Sequence, residues 1–256
     1  MRLLLGMATA AIWLLVAAPS QAAADPVLMG HRGTGTNTVV PENTLEAFDW
    51  AVEHGADGIE FDVRLTGTKK MVVMHDATLD RTTFCTGKVS DYSLTFVTSC
   101  RTRVGGTHPP SLSAALQYAA SQPGLKVSIH VKADWPKDKM VQLASKIKYY
   151  SLESRTNVTS ADKSNISDLR GQGVKRGLTW DAPFPGVAYV KSYGSYFDPR
   201  FTRITHAQVK ALKDAGVVVT VWTGKTEADY EGMADLGAQR WHVDDVADVI
   251  EWASAR

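Results

Sequence analysis

Apolar residues along this chain fall into short runs of strand-like composition, and stretches with helical spacing separate these runs. The strand-like runs are Val27–His31, Gly58–Arg64, Lys126–Lys132, Asn157–Ser160, Arg176–Trp180, Ser195–Asp198, Val217–Thr223 and Arg240–Val243. The helical stretches are Asn43–His54, Ser111–Ser121, Lys137–Tyr150, Ile166–Gln172, Ile204–Ala215, Glu227–Leu236 and Val246–Ala253. Between Trp180 and Tyr196 prolines and glycines interrupt any helical spacing, so a loop is expected there.

Eight strand runs that alternate with helices predict an α/β fold, a (β/α)8 TIM barrel with a closed parallel sheet. An open, doubly wound sheet is the main rival. Residue types at the helix ends agree with the predicted boundaries. Ser111 is expected to cap one helix and Thr205 or Thr202 another, while Gly216 and Gly237 lie just past helix ends.

The first two dozen residues have a different pattern. Arg2 precedes an apolar run, Leu3–Ala18, and small residues follow it up to Ala24. A basic start, a short apolar stretch and an alanine-rich end are typical of a secretory signal peptide, with cleavage after Ala22 or Ala24. A membrane anchor is the alternative, but the run is shorter than the roughly 20 residues that a spanning helix needs. Residues 1–24 therefore predict export, a secreted protein, and no stable membrane insertion after cleavage.

One segment interrupts the alternation after the second strand region. Residues 77–110 are rich in polar residues and glycine and show no helical spacing, so we expect an insertion that lies over one end of the barrel. The chain has two cysteines, Cys85 and Cys100, and both fall in this segment. In an exported protein such a pair is more often a disulfide than two free thiols. A two-cysteine metal site is the competing interpretation, but it lacks nearby His or Cys partners.

Composition narrows the class of protein. Residues 25–256 are expected to form a single domain, because barrels of about 250 residues commonly do so. The formal net charge is only +1, so no basic field favours nucleic acid as a partner. Any anionic ligand must therefore be bound by local residues, and no protein partner is inferred.

Residues suited to catalysis lie in the first third of the chain. His31 ends the first strand run, and His75 follows the apolar run Met71–Met74. Glu60 and Asp62 lie two apart in the second run, so period-two alternation puts them on one face. Two adjacent carboxylates repel each other in a poorly solvated site. They therefore lie at the rim or hold a hard divalent cation.

These residues belong to a set of four ordered motifs. The motifs lie in the segments His31–Gly33, Pro41–Thr44, Gly55–Val63 and Val72–Asp76. In this order and at this spacing they resemble the signature of the glycerophosphodiester phosphodiesterases. A weaker similarity continues through Thr78–Thr83. Because Val221–Thr223 and Asp244–Asp245 also match the family, the resemblance spans nearly the whole chain after residue 25.

The resemblance implies a (β/α)8 barrel, related to the phosphatidylinositol-specific phospholipase C-like phosphodiesterases. It implies hydrolysis of a small-molecule glycerophosphodiester to glycerol 3-phosphate and an alcohol. His31 and His75 match the family's general acid and base, and Glu60 and Asp62 match two ligands of its divalent metal ion, Ca²⁺ or Mg²⁺. Arg32 resembles the family's phosphate contact. The nucleophile is either a hydroxyl of the glycerol or water.

Four further residues are candidates for substrate binding. Glu42 and Asn43 match a family motif, where they support the site or contact substrate. Alternatively Asn43 caps a helix and Glu42 merely precedes it. Lys132 is a candidate phosphate contact. Trp222 can form an apolar wall of the binding site, although aromatic residues at strand ends are also ordinary core residues.

One position departs from the family pattern. The third strand of the family carries Glu-x-Lys, and here His130 replaces the Glu while Lys132 keeps its place. His130 can ligate the metal, which would favour Mn²⁺, Zn²⁺ or Co²⁺ over Ca²⁺. It can instead contact the substrate while water fills the coordination gap. The third possibility is a weakened metal site with loss of activity.

Two alternatives to this function come from different classes. One is a phospholipase D-like enzyme that acts on intact lipids, like the sphingomyelinase D branch, for which Phe84, Tyr92 and Phe96 would supply an apolar rim. The other is a secreted barrel that binds a ligand without catalysis. The substitution at His130 is the one sequence feature that favours it.

Overall fold

The structure is a computed structural model that describes residues 25–35 and 40–255 of the chain. The expected signal peptide, residues 1–24, lies outside the described residues. Within those residues, no helix has both the length and the apolar character needed to cross a membrane.

Eight parallel strands close into a barrel. The described residues form the strands β1 (Val27–Gly30), β2 (Gly58–Leu65), β3 (Met71–Val73), β4 (Lys126–Val131), β5 (Thr156–Ser160), β6 (Lys175–Trp180), β7 (Tyr196–Pro199), β8 (Val218–Gly224) and β9 (Arg240–Val243). The barrel order is β1-β9-β8-β7-β6-β5-β4-β2, and pairing of β1 with β2 closes it. The short β3 pairs antiparallel with β2, outside the ring. The predicted barrel is confirmed and the open sheet is excluded.

Helices surround this barrel. They are α1 (Leu45–Glu53), α2 (Leu94–Ser99), α3 (Leu112–Ser121), α4 (Lys137–Tyr149), α5 (Lys163–Asp168), α6 (Val187–Tyr193), α7 (His206–Asp214), α8 (Glu227–Leu236) and α9 (Val246–Ser254). Short 3-10 helices lie at Val89–Asp91 and Phe201–Arg203. The predicted caps are present: Ser111 accepts a hydrogen bond from Ala114 N, and Gly237 ends α8 at φ +64°. Of the two candidates for α7, Thr205 is the cap.

The loop predicted between Trp180 and Tyr196 is wrong, because α6 lies within it. This helix begins after Gly186, ends before Gly194 and buries Val190. Its seven residues make only about two turns. That length is too short for a helical period to show against the neighbouring prolines and glycines.

Two other helices also differ from the expectation, because a local side-chain cap sets where each of them begins. The 77–110 segment contains α2, whose start is fixed by Ser93 accepting a hydrogen bond from Phe96 N. Helix α5 begins three residues before the predicted Ile166, because Asp162 caps it at Ser164 N. In both helices a single side-chain cap sets the boundary, so a period in the sequence does not reveal it.

The apolar core lies between the barrel and the helices rather than inside the barrel mouth. On β2, Phe61 and Val63 are fully buried and face outward, where Phe61 packs on Phe48 of α1 with ring centroids 5.4 Å apart. Burying each such side chain contributes about 1.5–3 kcal/mol. Strand alternation then turns Glu60 and Asp62 inward. The packing of the outer layer thus fixes the direction of the acidic residues.

The 77–110 segment packs beside the barrel mouth. Cys85 and Cys100 form the expected disulfide, with Cα atoms 5.7 Å apart, so the two-cysteine metal site is wrong. A small buried cluster anchors the segment to β3, and its members are Val72, Met74, Leu79, Val89, Val97 and Cys100. Together the disulfide and this cluster hold the segment as an ordered element against the barrel.

Candidate active site

A cavity of about 310 Å³ lies at the carboxyl ends of the barrel strands. Seven predicted site residues line it, namely His31, Arg32, Glu60, His75, His130, Lys132 and Trp222. The other three, Glu42, Asn43 and Asp62, lie directly behind this wall and bond to Arg32 or Lys132 in it. The structure therefore brings all of the predicted chemistry to one end of the barrel, which is where barrel enzymes have their active sites.

The acidic pair is deeply buried. Glu60 is 2% and Asp62 is 1% exposed, and strand register places Asp62 beside His130 of β4. Lys132 Nζ lies 2.9 Å from Asp62 Oδ1, and Arg32 Nε lies 3.4 Å from Oδ2. The Arg32 backbone N–H donates to Glu60 Oε2 at 2.9 Å. Each acid is thus held by a different set of donors.

These surroundings push the two pKa values apart. Burial raises the pKa of Glu60 to about 7, and the negative charge of Asp62 adds to the increase. Burial also acts on Asp62, but Lys132, His130 and Arg32 outweigh it and hold the pKa of Asp62 well below its usual value. One carboxyl therefore stays ionised while its neighbour titrates near neutrality, as expected for two buried acids when the nearby cations pair with only one of them.

Three side chains could hold a metal ion here. Glu60, Asp62 and His130 each offer a ligand atom, and these atoms lie within 4.8 Å of one another. Burial lowers the pKa of His130 to about 4, with the charge of Lys132 adding to the effect. Its imidazole is therefore neutral, which is the form that ligates metals. The donor set of two carboxylates and one neutral imidazole fits a divalent cation, and such a cation would compensate the unmatched charge of the acid pair.

Each of the two candidate catalytic histidines is paired with an aspartate. His31 Nδ1 lies 2.6 Å from Asp244 Oδ1, and His75 Nδ1 lies 2.6 Å from Asp76 Oδ1. In both rings this contact leaves Nε2 available to the cavity. Burial lowers the pKa of His75, while the charge of Asp62 and, to a smaller extent, the hydrogen bond that His75 donates to Asp76 oppose this shift. A carboxylate on Nδ1 fixes the orientation of an imidazole that exchanges protons through its other nitrogen.

An arginine from the 77–110 segment connects one of these pairs to Glu42. Arg81 donates to Asp76 from Nε at 2.6 Å and from Nη2 at 3.0 Å. It also donates to both carboxylate oxygens of Glu42 at 2.8 Å. Glu42 in turn accepts from Arg32 Nη1 at 2.9 Å. Glu42 therefore supports the site through two arginines.

The role of Asn43 is also resolved between its two alternatives. Its backbone has φ +59°, and its side chain faces Asp62 rather than the helix. Asn43 Nδ2 donates to Asp62 Oδ2, and Asn43 Oδ1 accepts from Asp62 N, each at 3.0 Å. Thr44 caps α1 instead, by accepting from Ala47 N. The helix-cap interpretation of Asn43 is wrong, because Thr44 occupies that place.

The wall opposite the acid pair is formed by β7, β8 and β9. Trp222 lies against the cavity, and its Nε1 donates to the backbone oxygen of Asp198 at 2.7 Å. The guanidinium of Arg200 stacks over the Trp222 ring at 4.5 Å and is held by Asp181 through bonds of 2.7 and 2.9 Å. Trp222 is therefore a wall residue of the cavity, with one face covered by a cation.

Sequence reasoning did not assign roles to four residues at this site. Arg81 and Asp244 lie in segments that match the family. The sequence does not show, however, that Arg81 bonds to Asp76, the partner of His75, or that Asp244 bonds to His31. Asp198 and His242 line the cavity from the far wall. Asp198 had no motif around it that could have found it.

Comparisons with known proteins agree with this geometry. The family model described as the glycerophosphoryl diester phosphodiesterase family matches residues 31–247. A glycerophosphodiester phosphodiesterase of Caldanaerobacter subterraneus subsp. tengcongensis is 30% identical over 241 residues, which are 88% of this chain and 96% of that protein. Another from Bacillus altitudinis is 27% identical over 224 residues, 82% of this chain and 91% of that protein.

A solved structure shows the same fold. It is an Oleispira antarctica phosphodiesterase in complex with the product sn-glycerol-3-phosphate. The two chains superpose with a TM-score of 0.80 at 20% sequence identity, over 90% of this chain and 97% of that one. At this identity the likeness concerns the barrel alone.

Proposed function

Since the chain belongs to the glycerophosphoryl diester phosphodiesterase family, we propose that it hydrolyses glycerophosphodiesters to glycerol 3-phosphate and an alcohol. The observation that carries this proposal is the pair of His–Asp dyads at one cavity that also holds a buried acid pair. The glycerol 3-phosphate bound to the Oleispira antarctica enzyme supports the choice of product.

His31 and His75 share the proton transfers in this proposal. Cleavage of a phosphodiester needs one group to take a proton from the nucleophile and another to give a proton to the leaving alkoxide. Asp244 and Asp76 hold the two imidazoles through Nδ1, so Nε2 of each ring faces the substrate. The nucleophile is a hydroxyl of the glycerol or a water molecule. A cyclic phosphate that appears before glycerol 3-phosphate would identify the former.

Arg32 and Lys132 bind the phosphate. Both line the cavity and both are anchored to Asp62, so their positive charges are preset before the substrate arrives. Fixed charges of this kind stabilise a developing negative charge at low reorganisation cost. Glu42 keeps the Arg32 guanidinium in place through its bond to Nη1.

Glu60, Asp62 and His130 would hold a divalent metal ion. When bound, the ion acts as a Lewis acid that neutralises charge on the phosphoryl oxygens. Two carboxylates with one imidazole shift the preference towards Mn²⁺, Zn²⁺ or Co²⁺, whereas a third carboxylate would favour Ca²⁺ or Mg²⁺. The position of a His130 ring nitrogen within 4.8 Å of carboxylate oxygens of Glu60 and Asp62 supports metal ligation over the other two interpretations of this residue.

Phosphorus NMR of glycerophosphocholine incubated with the protein tests this function. We expect a glycerol 3-phosphate signal, and a loss of about 100- to 10,000-fold in rate for His31→Ala and for His75→Ala, because each removes a general acid or base. His108→Ala is the matched control, since His108 is exposed and lies away from the cavity. Turnover that survives loss of both site histidines would refute the two-histidine mechanism, and no turnover by the unsubstituted protein would refute the function.

We also propose that the protein acts after export. The signal-like pattern of residues 1–24 supports this, and so does the Cys85–Cys100 disulfide, since disulfides persist mainly in oxidising compartments. Mass spectrometry of the protein recovered outside the producing cells should find an amino terminus at Ala23 or Asp25. Full-length protein retained in the cytoplasm with reduced cysteines would contradict export. Neither the lipid-cleaving alternative nor the non-catalytic barrel is favoured by an observation on the described residues.

A further inference from the structure

A group of buried polar atoms without partners lies across the cavity from the acid pair. Among the described residues, both carboxylate oxygens of Asp198, the Thr179 hydroxyl and His242 Nε2 have no hydrogen-bond partner in regular geometry. Asp198 is 1% exposed and His242 is 5% exposed. Buried polar groups are nearly always hydrogen-bonded, so orphaned atoms gathered at one place indicate a partner that enters from the cavity.

The same residues form one side of the cavity. Asp198, Thr179 and His242 all line it, together with Thr159 of the neighbouring strand. Register puts Thr179 directly beside Asp198 on adjacent strands. We refer to Asp198, Thr159 and Thr179 as the polar floor. The phosphate-binding residues Arg32 and Lys132 line the same cavity, so a bound diester would extend one of its two arms over the polar floor.

The chemistry of the polar floor excludes most kinds of arm. An anionic arm would be repelled by the buried acids Asp198 and Glu60. A quaternary ammonium needs an open aromatic face, but Arg200 already covers Trp222 at 4.5 Å and repels cations. A hydrocarbon arm would cover the orphaned polar atoms without bonding to them, which is costly. A neutral arm with several hydroxyl groups satisfies donors and acceptors alike.

We propose that the polar floor is a subsite that binds the hydroxyl groups of a polyol arm of the substrate, and that Asp198 is its central residue. This inference rests on the proposed function and adds to it the residues that recognise the hydroxyl groups of the substrate. Burial raises the pKa of Asp198 to about 7, and weak hydrogen bonding from the Thr159 and Thr220 hydroxyls opposes this shift only in part. Near neutral pH its carboxyl therefore exists partly in the protonated form, which both donates to and accepts from a hydroxyl group.

The polyol arm can be the glycerol itself or a polyol on the alcohol side. Glycerophosphoethanolamine carries hydroxyls on the glycerol side alone, whereas glycerophosphoglycerol carries them on both sides. Bis(p-nitrophenyl) phosphate carries none and serves as the reference substrate. The quantity to compare is kcat/KM for each glycerol-containing diester divided by kcat/KM for the reference.

Four variants isolate the floor. Asp198→Leu keeps the side-chain size and removes all hydrogen bonding, while Asp198→Asn keeps a donor and an acceptor. Thr179→Val removes one floor hydroxyl. Thr156→Val is the matched control, because Thr156 also has a buried hydroxyl without a partner, on β5, but does not line the cavity.

We expect Asp198→Leu to lower the ratio by about tenfold or more, since a site built to hydrogen-bond a hydroxyl discriminates strongly once that bond is lost. Asp198→Asn should keep the ratio within about threefold, Thr179→Val should lower it less than Asp198→Leu does, and Thr156→Val should leave it unchanged. A fall for both diesters assigns the subsite to the glycerol arm. A fall for glycerophosphoglycerol alone assigns it to the alcohol arm.

The proposal is overturned if Asp198→Leu leaves the ratio unchanged, which includes an equal fall in kcat/KM for the glycerol-containing diesters and for the reference. If Asp198→Leu does not fold, Thr179→Val gives the same comparison. Should the unsubstituted protein fail to cleave glycerol-containing diesters, the proposed function fails. The polar floor is then judged by inhibition of bis(p-nitrophenyl) phosphate turnover, where glycerol 3-phosphate must inhibit more strongly than inorganic phosphate. Equal inhibition by the two anions also overturns the proposal.

Discussion

Replacing Arg81 with Met should impair catalysis much more than stability. The substitution removes four hydrogen bonds of 2.6 to 3.0 Å that join Asp76 to Glu42. The Arg81 side chain is 46% exposed, so solvent screens these pairs, and we expect a loss of only about 1–2 kcal/mol in the free energy of unfolding. Asp76 would then be free to rotate, and with it the His75 ring. We expect kcat to fall by about 10- to 100-fold, as when a partner that orients an active-site imidazole is lost.

The same variant has a predictable pH dependence. The pKa of Asp76 is about 2 in the folded protein, mainly because of its hydrogen bonds with Arg81. A carboxyl whose pKa is lowered by folding stabilises the protein above its unfolded pKa, which is about 3.9 for Asp, and this stability is lost as the pH falls towards the folded value. The difference in unfolding free energy between the two proteins should therefore be largest above pH 5 and shrink as the pH falls towards 2.

Steady-state kinetics with glycerophosphocholine and urea unfolding at several pH values measure both effects. Arg103→Met is the matched control, because Arg103 lies in the same segment and its side chain donates to the backbone oxygen of Asp80 and stacks on Phe84. Equal loss of kcat in the two variants would refute the positioning role of Arg81. So would an Arg81→Met protein with unchanged kcat.

Three further predictions concern other parts of the molecule. Cys85→Ser with Cys100→Ser should lower the free energy of unfolding by about 3 kcal/mol, from the 15-residue separation that the disulfide closes; a urea midpoint equal to that of the unsubstituted protein would contradict this. His130→Glu should shift the best activating metal towards Ca²⁺ or Mg²⁺, since a carboxylate replaces the nitrogen donor, and an unchanged metal profile would rule out His130 as a ligand. Asp244→Asn removes the carboxylate that holds His31 Nδ1, so it should lower kcat by about 10-fold or more, because the imidazole loses the partner that fixes its orientation; an unchanged kcat would contradict the pairing.

The regular part of the fold was predictable because one layer of packing dominates it. Strand β2 shows this: Phe61 and Val63 must face the helices, so the alternate residues Glu60 and Asp62 must face inward. The same parity placed His130 and Lys132 on one face of the chain at β4. Helix α6 was missed because its seven residues depend on contacts with β6 and not on a periodic pattern.

The catalytic residues were predictable where a short motif carried them, but only one of their two partners lies in the same motif. His75 and Asp76 are adjacent in sequence, so the motif contains the whole dyad. His31 and Asp244 are 213 residues apart and meet only because β1 pairs with β9 when the barrel closes. Asp198 depends on the same closure, since its role follows from what lies across the cavity. Contacts of this kind are set by strand order and register, which periodicity does not specify.

The central claim is that a metal held at Glu60, Asp62 and His130 assists hydrolysis of a glycerophosphodiester in this cavity. The most direct test uses one preparation of the protein without its first 24 residues, stripped with chelator and resupplied separately with Ca²⁺, Mg²⁺, Mn²⁺, Zn²⁺ or Co²⁺. Release of glycerol 3-phosphate from glycerophosphocholine should disappear on stripping and return most strongly with Mn²⁺, Zn²⁺ or Co²⁺. Full activity that persists in the stripped protein, or no activity with any of the five metals, would contradict the claim.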